Sequence, residues 1–288
     1  MMNKKEKSLK YIFINIIVLA AAVFLFAGRY DVRELLSGIS VVDMIVIVAS
    51  AVIVHTVKAL RLYIAIFFPG MKTSDYLKIY GKVTPVSVLF PFKTGELFRM
   101  YCYGELVGDL PTGVVVILLD RFMDTAALVT ILFMVLLLNG GPITPLLCFL
   151  VVILFFMLIA YAVFPGIYQY WKKYILRLNV TPRKIRFLSF IDKCNVVYKR
   201  ISNVTRGRGV ILYFLSLIAW GIELGGIAAF NYGKDGAPLN SEITEYLMAA
   251  LGAGRSVELR LFVVVSVVLM IMLYAGLKIY AMIAERRK

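Results

Sequence analysis

Charge is scarce in this chain. Only 17% of its 288 residues are charged and 61% are hydrophobic, with a mean hydropathy of +0.86. Such a composition excludes an ordinary soluble domain, in which about a quarter of the residues are charged. The sequence therefore predicts an integral membrane protein.

The chain also lacks the residue patterns of common metal and catalytic sites. Its three cysteines, Cys102, Cys148 and Cys194, have neither zinc-site nor disulfide spacing, and His55 is the only histidine. We expect His55 to be a hydrogen-bonded core residue. The sequence contains no G-x-S-x-G, H-E-x-x-H, Walker or Rossmann glycine motif. We therefore expect no metal, no cofactor and no ATP-driven step in this polypeptide.

Long apolar runs are what the chain has instead. A helix needs about 20 apolar residues to cross a bilayer, and six runs approach or exceed that length, at roughly 11–28, 41–66, 112–138, 145–165, 209–232 and 258–282. The first run follows a basic N-terminal stretch but leads to no clear cleavage site, so we expect an uncleaved span. The sequence predicts an all-α polytopic membrane bundle of about six spans in a single domain, residues 1–288.

Basic residues set the expected orientation, because Lys and Arg accumulate on the cytoplasmic side of a membrane. The segment at about 171–208 contains eleven of them, opposed only by Asp192. We expect this loop and both basic chain ends in the cytoplasm, beneath the cytoplasmic membrane of a prokaryote. Apolar residues at spacings of three and four predict an amphipathic helix within the loop. Topology thus accounts for much of the net charge of +15, and no motif favours nucleic-acid binding.

Two segments are predicted to enter the membrane without crossing it. With both chain ends inside, residues 79–110 must begin and end on the cytoplasmic side, and Pro85, Pro91 and Gly95 interrupt their short apolar pieces. We predict a re-entrant hairpin there, enclosed by protein or a water-filled cavity. Residues 241–255 form a second half-length element on the opposite side. Such paired elements resemble the broken helices of secondary transporters.

Charged motifs occupy the hairpin and the span that follows it. The first reads P-x-K-x-G-E-x-x-R from Pro91 to Arg99, and the second contains Asp120, Arg121 and Asp124. Over about residues 55–138 this pattern resembles the lysylphosphatidylglycerol synthase transmembrane (flippase-like) family, although DGAPLNSEITEYL replaces a glycine-rich segment of that family. The resemblance implies a stand-alone membrane unit, without the aminoacyl-transferase domain of fused members, that handles an amphiphilic lipid or lipid-linked intermediate.

These charged side chains are the candidate site, since an ionised group at membrane depth costs about 2.5–3.5 kcal/mol unless it is paired or hydrated. We expect the cations to contact a lipid phosphate and the carboxylates to hold them in place. The substrate-binding candidates are Lys93, Arg99, Arg121, Lys58 and Arg61, and the supporting charge network is Glu96, Asp120 and Asp124. Two alternatives stay open: the charges only pin the hairpin to the third span, and Lys58 and Arg61 only snorkel to the surface.

Glu223 is a separate candidate, as the one acid in the fifth apolar run. It has no cation nearby in sequence, so it is either a proton-coupling group or a buried hydrogen-bonded acid. Gly221 and Gly225 form a pair of small residues that is predicted to let another helix approach closely.

The function that the sequence favours is a flippase-like transporter that moves an anionic lipid or lipid-linked intermediate, rather than an enzyme. A membrane enzyme that modifies a lipid phosphate through Glu96, Asp120 and Asp124 is one alternative. A non-catalytic scaffold for a lipid or glycan biosynthetic enzyme is another. The expected partners are anionic or phosphate-bearing membrane lipids, and a homo-oligomer is left open.

Overall fold

The protein is a bundle of helices. The computed structural model describes residues 4–29, 35, 39–90, 94–139, 144–177, 181–232, 239–251 and 256–286, and these ranges contain no β-strand. The helices are α1 (Lys4–Arg29), α2 (Val41–Ile66), α3 (Thr73–Leu89), α4 (Gly95–Val107), α5 (Leu110–Asn139), α6 (Pro145–Arg177), α7 (Pro182–Thr205), α8 (Gly209–Asn231), α9 (Leu239–Ala250) and α10 (Val257–Arg286). The predicted all-α polytopic bundle is confirmed.

Five of the described helices, α2, α5, α6, α8 and α10, are long and apolar enough to cross a membrane. The sixth predicted span lies in α1, where the described apolar stretch, Asn15–Gly28, is shorter than the length needed to cross a membrane, so the described residues show five of the six predicted spans. Helix α6 continues to Arg177, beyond the predicted end of its apolar run at 165, because its last turns pack against α7. Trp171 and Phe187 make an edge-to-face ring contact there, with centroids 5.6 Å apart. The predicted basic loop is thus the end of α6 followed by helix α7.

Helices α2 and α8 pack closely against each other. An added Cβ at Gly226 would lie 2.3 Å from Ser50 Oγ on α2, whereas nothing lies within 4 Å of a Cβ added at Gly221 or Gly225. The prediction that Gly221 and Gly225 mediate close approach is therefore wrong. The rotation of α8 directs Glu223 and Gly226, three residues apart, toward α2 instead.

Several helices end or begin on one face of the bundle. Arg208, next to the start of α8, donates from Nη1 to the carbonyl oxygen of Ile64 at the end of α2, at 3.0 Å. Arg200 on α7 pairs with Asp109, just before α5, at 3.2 Å. Helix α10 runs parallel to α2, because its first turns share a core cluster with the first half of α2, and so it ends on the same side. We call this side, marked by Ile64, Asp109 and Arg208, the basic face.

Helices α3 and α4 form a hairpin between the end of α2 and the start of α5. Helix α4 runs antiparallel to the first half of α5: a Cβ added at Gly113 would lie 2.4 Å from the backbone nitrogen of Gly104, and Arg99 reaches Asp120. A Cβ added at Gly95 would lie 2.3 Å from the carbonyl oxygen of Val86, so the two arms touch near the tip. Asp120 is ten residues into α5, which places the start of α4 about 15 Å along α5.

Pro85 does not interrupt the hairpin as the sequence predicted, since α3 runs through it. Proline removes one backbone donor, but Pro85 is buried and the hydroxyl of Thr84 donates to the Tyr80 carbonyl at 2.7 Å. Helix α3 is therefore continuous at Pro85, which packs in the core directly after this side-chain hydrogen bond. Gly95 is the first residue of α4, and Pro91 lies outside the described residues. Helix α9 occupies most of the second predicted element, of which residues 252–255 also lie outside the described part.

Candidate functional site

Six charged side chains from three helices meet where the hairpin contacts the bundle. They are Arg61 on α2, Glu96 and Arg99 on α4, and Asp120, Arg121 and Asp124 on α5. We call them the charged cluster. Three are cations and three are anions, so the cluster is neutral as a whole.

Arg61 joins α2 to α5. Its Nη2 lies 2.7 Å from Asp120 Oδ1, and its Nη1 lies 2.8 Å from Asp124 Oδ1. Asp120 and Asp124 are one helical turn apart, so both carboxylates can face the same guanidinium. Nη1 also donates to Ser216 Oγ on α8 at 2.6 Å. The Arg61 side chain is only 4% exposed, so the alternative that it snorkels to the surface is wrong.

The remaining members connect the hairpin to α5. Arg99 Nη2 donates to Asp120 Oδ2 at 2.9 Å, and its Nη1 lies 3.5 Å from Glu96 Oε2. Arg121 donates from Nη2 to Glu96 Oε1. Each of Asp120 and Glu96 therefore bridges two arginines. The cluster is an alternating chain of charges, ordered Asp124, Arg61, Asp120, Arg99, Glu96, Arg121.

Within the charged cluster, the exposure of the side chains rises toward Arg121. The side chains of Asp120 and Arg99 are 2% and 7% exposed, whereas that of Arg121 is 41% exposed. Arg99 lies between the carboxylates of Asp120 and Glu96, which compensate its positive charge in this buried position. Arg99 thus stays charged inside the cluster, and Arg121 is the cation that an outside group reaches most easily.

Arg99 on the hairpin and Arg121 on α5 each have one N–H group that makes no hydrogen bond with the described residues. Within the described part of the chain, no acceptor bonds the buried Nε of Arg99 or of Arg121. A buried donor without a partner costs about 1–3 kcal/mol. Each of these Nε groups is therefore a donor that the cluster can offer to an added oxygen ligand when its contacts rearrange. The described residues contain no group of three His, Cys, Asp or Glu side chains that could hold a metal ion.

A second ion pair lies beside the cluster. Lys58, one turn before Arg61 on α2, places Nζ 3.0 Å from Glu223 Oε2. Tyr246 on α9 donates its hydroxyl to Glu223 Oε1 at 2.6 Å, and Lys58 Nζ lies 5.2 Å from the ring centroid of Trp220. Glu223 has no cation nearby in sequence, but α2 supplies one in space.

The structure brings together all but one of the residues singled out from the sequence. Lys93 lies outside the described residues. Arg121 on α5 pairs with Glu96 on α4. His55 is hydrogen-bonded in the core as expected, with Nδ1 3.2 Å from the Tyr80 hydroxyl.

Two members of the site were not predicted from the sequence. Ser216 precedes Glu223 by seven residues, which is two helical turns, so it shares the face of α8 that carries this acid. This seven-residue spacing could have identified Ser216 from the sequence. Tyr246 belongs to a different helix and has no local pattern that connects it to Glu223.

No curated protein and no solved structure matches the chain. A family model described as "Lysylphosphatidylglycerol synthase TM region" matches residues 12–231, from α1 to the end of α8. The match includes the whole charged cluster and the Lys58–Glu223 pair, and this family indicates a membrane protein in lipid modification or translocation. Because the match covers more than half of the 288 residues, the chain belongs to the lysylphosphatidylglycerol synthase TM region family.

Proposed function

We propose that this protein is a flippase-like transporter that moves an anionic lipid or lipid-linked intermediate across the cytoplasmic membrane. The observation that carries the proposal is the alternating chain of charges, whose terminal cation, Arg121, is 41% exposed while its inner members are buried. A chain with one open end lets a phosphate enter by exchanging partners, not by breaking an isolated buried pair.

The first step is the capture of a lipid phosphate by Arg121. The guanidinium matches a phosphate in the same bidentate way as a carboxylate. As the phosphate takes over Arg121, Glu96 is released from it and turns fully to Arg99, its other partner. One charge-assisted contact replaces another, so the head group avoids most of the cost of an unpaired charge at membrane depth. The free Nε groups of Arg121 and Arg99 add donors for the phosphate oxygens.

The hairpin α3–α4 gives this site its depth, and we propose that it is re-entrant. Helix α2 ends and α5 begins on the basic face, so a hairpin between them enters and leaves from that side. The start of α4 lies about 15 Å along α5, close to half the thickness of a hydrocarbon core of about 30 Å. The site would then lie near the middle of the bilayer, where a lipid head group meets its greatest barrier.

We assign the basic face to the cytoplasm. The eleven basic residues at 171–208 lie on α7 and the adjoining helix ends, and cytoplasmic segments carry such an excess. Helix α10 ends on this face, which agrees with a cytoplasmic C-terminus. The N-terminus is assigned to the cytoplasm by its own basic residues.

An apolar groove beside the cluster supports an amphiphilic substrate. The groove has a volume of about 550 Å³ and begins at Phe122, the neighbour of Arg121, between α5, α6 and the start of α8. Thr130 and Tyr213 share a hydrogen bond of 2.9 Å in its wall. A hydrocarbon chain in this groove would leave its phosphate near Arg121.

Glu223 is proposed as the proton-coupling group. A proton on its carboxylate would weaken the 3.0 Å contact with Lys58. Lys58 lies one turn from Arg61, so its release would add a cation next to the charged cluster and favour binding of an anionic head group. Lys93 remains a proposed phosphate contact because it belongs to the same motif as Arg99.

Purified protein in liposomes tests the proposal directly. A quencher added outside the liposomes measures the fraction of fluorescent phosphatidylglycerol in the outer leaflet. Mass spectrometry measures the molecular masses of the lipids. Transbilayer movement above that of protein-free liposomes supports a flippase. A change in lipid mass would instead favour the lipid-modifying enzyme. If neither transbilayer movement nor a change in lipid mass occurs, the result favours the scaffold.

A further inference from the structure

A second cationic site lies outside the charged cluster, in a groove between α3 and α10. The groove has a volume of about 270 Å³ and is lined by Lys78, Ile79, Lys82, Tyr274, Lys278 and Ala281. We call it the lysine groove. Three of its six lining residues are lysines.

The three lysines line one groove because α3 and α10 pack closely together. A Cβ added at Gly81 would lie 3.2 Å from the carbonyl oxygen of Met270, so the absence of a side chain there lets α3 approach α10 closely. Lys82 is only 7% exposed, and its Nζ donates to Asn15 Oδ1 on α1 at 2.8 Å. It also lies 5.5 Å from the ring centroid of Phe98 on α4. The groove therefore has a fixed cationic floor.

Like charges at close spacing repel one another. Lys78 and Lys82 are four residues apart on α3, a spacing at which equal charges destabilise a helix. Lys278 adds a third positive charge from the facing helix. The carboxylate paired with Lys78 is Asp75, at 3.4 Å, and its side chain is 50% exposed at the start of α3. An exposed pair of this kind is weak and readily exchanged.

The groove lies near the ends of α3 and α10 on the basic face. Lys78 is five residues from the start of α3 and Lys278 is eight residues from the end of α10, which corresponds to about 8 and 12 Å along the two helices. Tyr274, Ile79 and Ala281 supply the apolar and amphipathic walls that suit the boundary between head groups and acyl chains.

We propose that the lysine groove binds the phosphate group of an anionic phospholipid in the leaflet at the basic face. The ammonium groups bind the phosphate oxygens, while the acyl chains stay in the bilayer beside α3 and α10. This site is separate from the charged cluster and does not depend on the protein being a transporter. Lys278 also lies beyond residues 12–231, the part of the chain matched by the family.

Binding of phosphatidylglycerol to the purified full chain tests this inference. Native mass spectrometry gives the lipid affinity of the wild type, of Lys78→Gln and of Lys278→Gln. Each variant should bind phosphatidylglycerol about tenfold more weakly, the factor expected from loss of one charge-assisted hydrogen bond. Lys193→Gln makes the same charge change at an exposed position on α7 and should bind as the wild type does. Equal affinity in all four proteins would overturn the proposal.

Two further measurements test whether the lysine groove itself holds the lipid. Lys278→Arg keeps the charge and should bind as the wild type does, whereas weak binding in this variant together with an unchanged melting temperature would contradict the proposal. A photoreactive phosphatidylglycerol should label peptides of α3 or α10, and labelling confined to other helices would overturn it.

Competition with inorganic phosphate distinguishes a lipid from a free anion. At millimolar concentration, inorganic phosphate should not displace phosphatidylglycerol from the wild type, because the walls formed by Tyr274 and Ile79 add apolar contacts that a free ion lacks. Full displacement would assign the groove to free phosphate and refute the lipid as its ligand.

Discussion

Arg61 is predicted to be the side chain on which the stability of the charged cluster depends most. Its guanidinium contacts Asp120 at 2.7 Å and Asp124 at 2.8 Å, and it donates to Ser216 at 2.6 Å. Arg61→Ala leaves two carboxylates with one cation fewer in an environment where Asp120 is 2% exposed. Removal of one partner from a buried ion pair costs about 3–5 kcal/mol, and we expect a loss of this size.

Arg61→Lys separates the contribution of charge to this loss of stability from the contribution of hydrogen-bond geometry. The lysine keeps the positive charge but has no planar fork, so it cannot serve Asp120 and Asp124 with the same geometry. Loss of one or more charge-assisted hydrogen bonds corresponds to about 1.5–3 kcal/mol each, and the variant should lie between the wild type and Arg61→Ala. In the double variant Arg61→Lys, Asp120→Asn, the loss in free energy of unfolding should be about 1–3 kcal/mol smaller than the sum of the two single losses.

Unfolding by dodecyl sulfate in mixed micelles measures these differences. Trp220 is a suitable reporter because it is 5% exposed in the fold. Arg183→Ala on α7 removes the same side chain from an exposed position and should change the free energy of unfolding by no more than about 0.5 kcal/mol. If Arg61→Ala were as mild as this control, the buried ion-pair reasoning would be refuted.

Three further predictions follow from the same contacts. Glu96→Ala removes the acceptor shared by two arginines and should lower both folded yield and lipid transport, whereas Arg99→Lys should impair transport more than yield; equal losses of yield in gel-filtration profiles would favour a purely structural cluster. Glu223→Gln should bind lipid but lose the response of transport to an imposed pH gradient, and an unchanged response in liposomes would remove this acid from proton coupling. A cysteine at Asn139 should react with a membrane-impermeant maleimide on intact cells and one at Arg183 only after permeabilisation; the reverse pattern would invert the proposed orientation.

The fold was predictable where one physical variable dominates. Hydropathy over about 20 residues located the long helices, because no other backbone structure of one short segment satisfies its own polar groups in lipid. The same variable missed the last turns of α6, since Trp171 and its neighbours are amphipathic and their helix is supported by packing against α7. Pro85 led to a wrong prediction for a similar reason, because its surroundings in α3 outweigh its local preference.

The charged cluster was predictable in its membership but less so in its pairing. Charges at membrane depth must be compensated, so Glu96, Arg99, Asp120, Arg121 and Asp124 were recognised as a group. Which carboxylate meets which arginine depends on how helices rotate and cross, and local spacing contains little of that information. The central position of Arg61 and the Lys58–Glu223 pair both depend on α2 lying against α5 and α8, which only the three-dimensional arrangement provides.

The measurement that tests the central claim most directly is the rate at which phosphatidylglycerol crosses liposomes that contain Arg121→Gln. This variant changes the exposed end of the charged cluster and leaves the contacts of Arg61 with Asp120 and Asp124 in place. If Arg121 receives the head group, transport should fall at least tenfold at normal folded yield, and Arg121→Lys should recover part of it. A rate equal to that of the wild type, in a well-folded Arg121→Gln protein, would contradict the account.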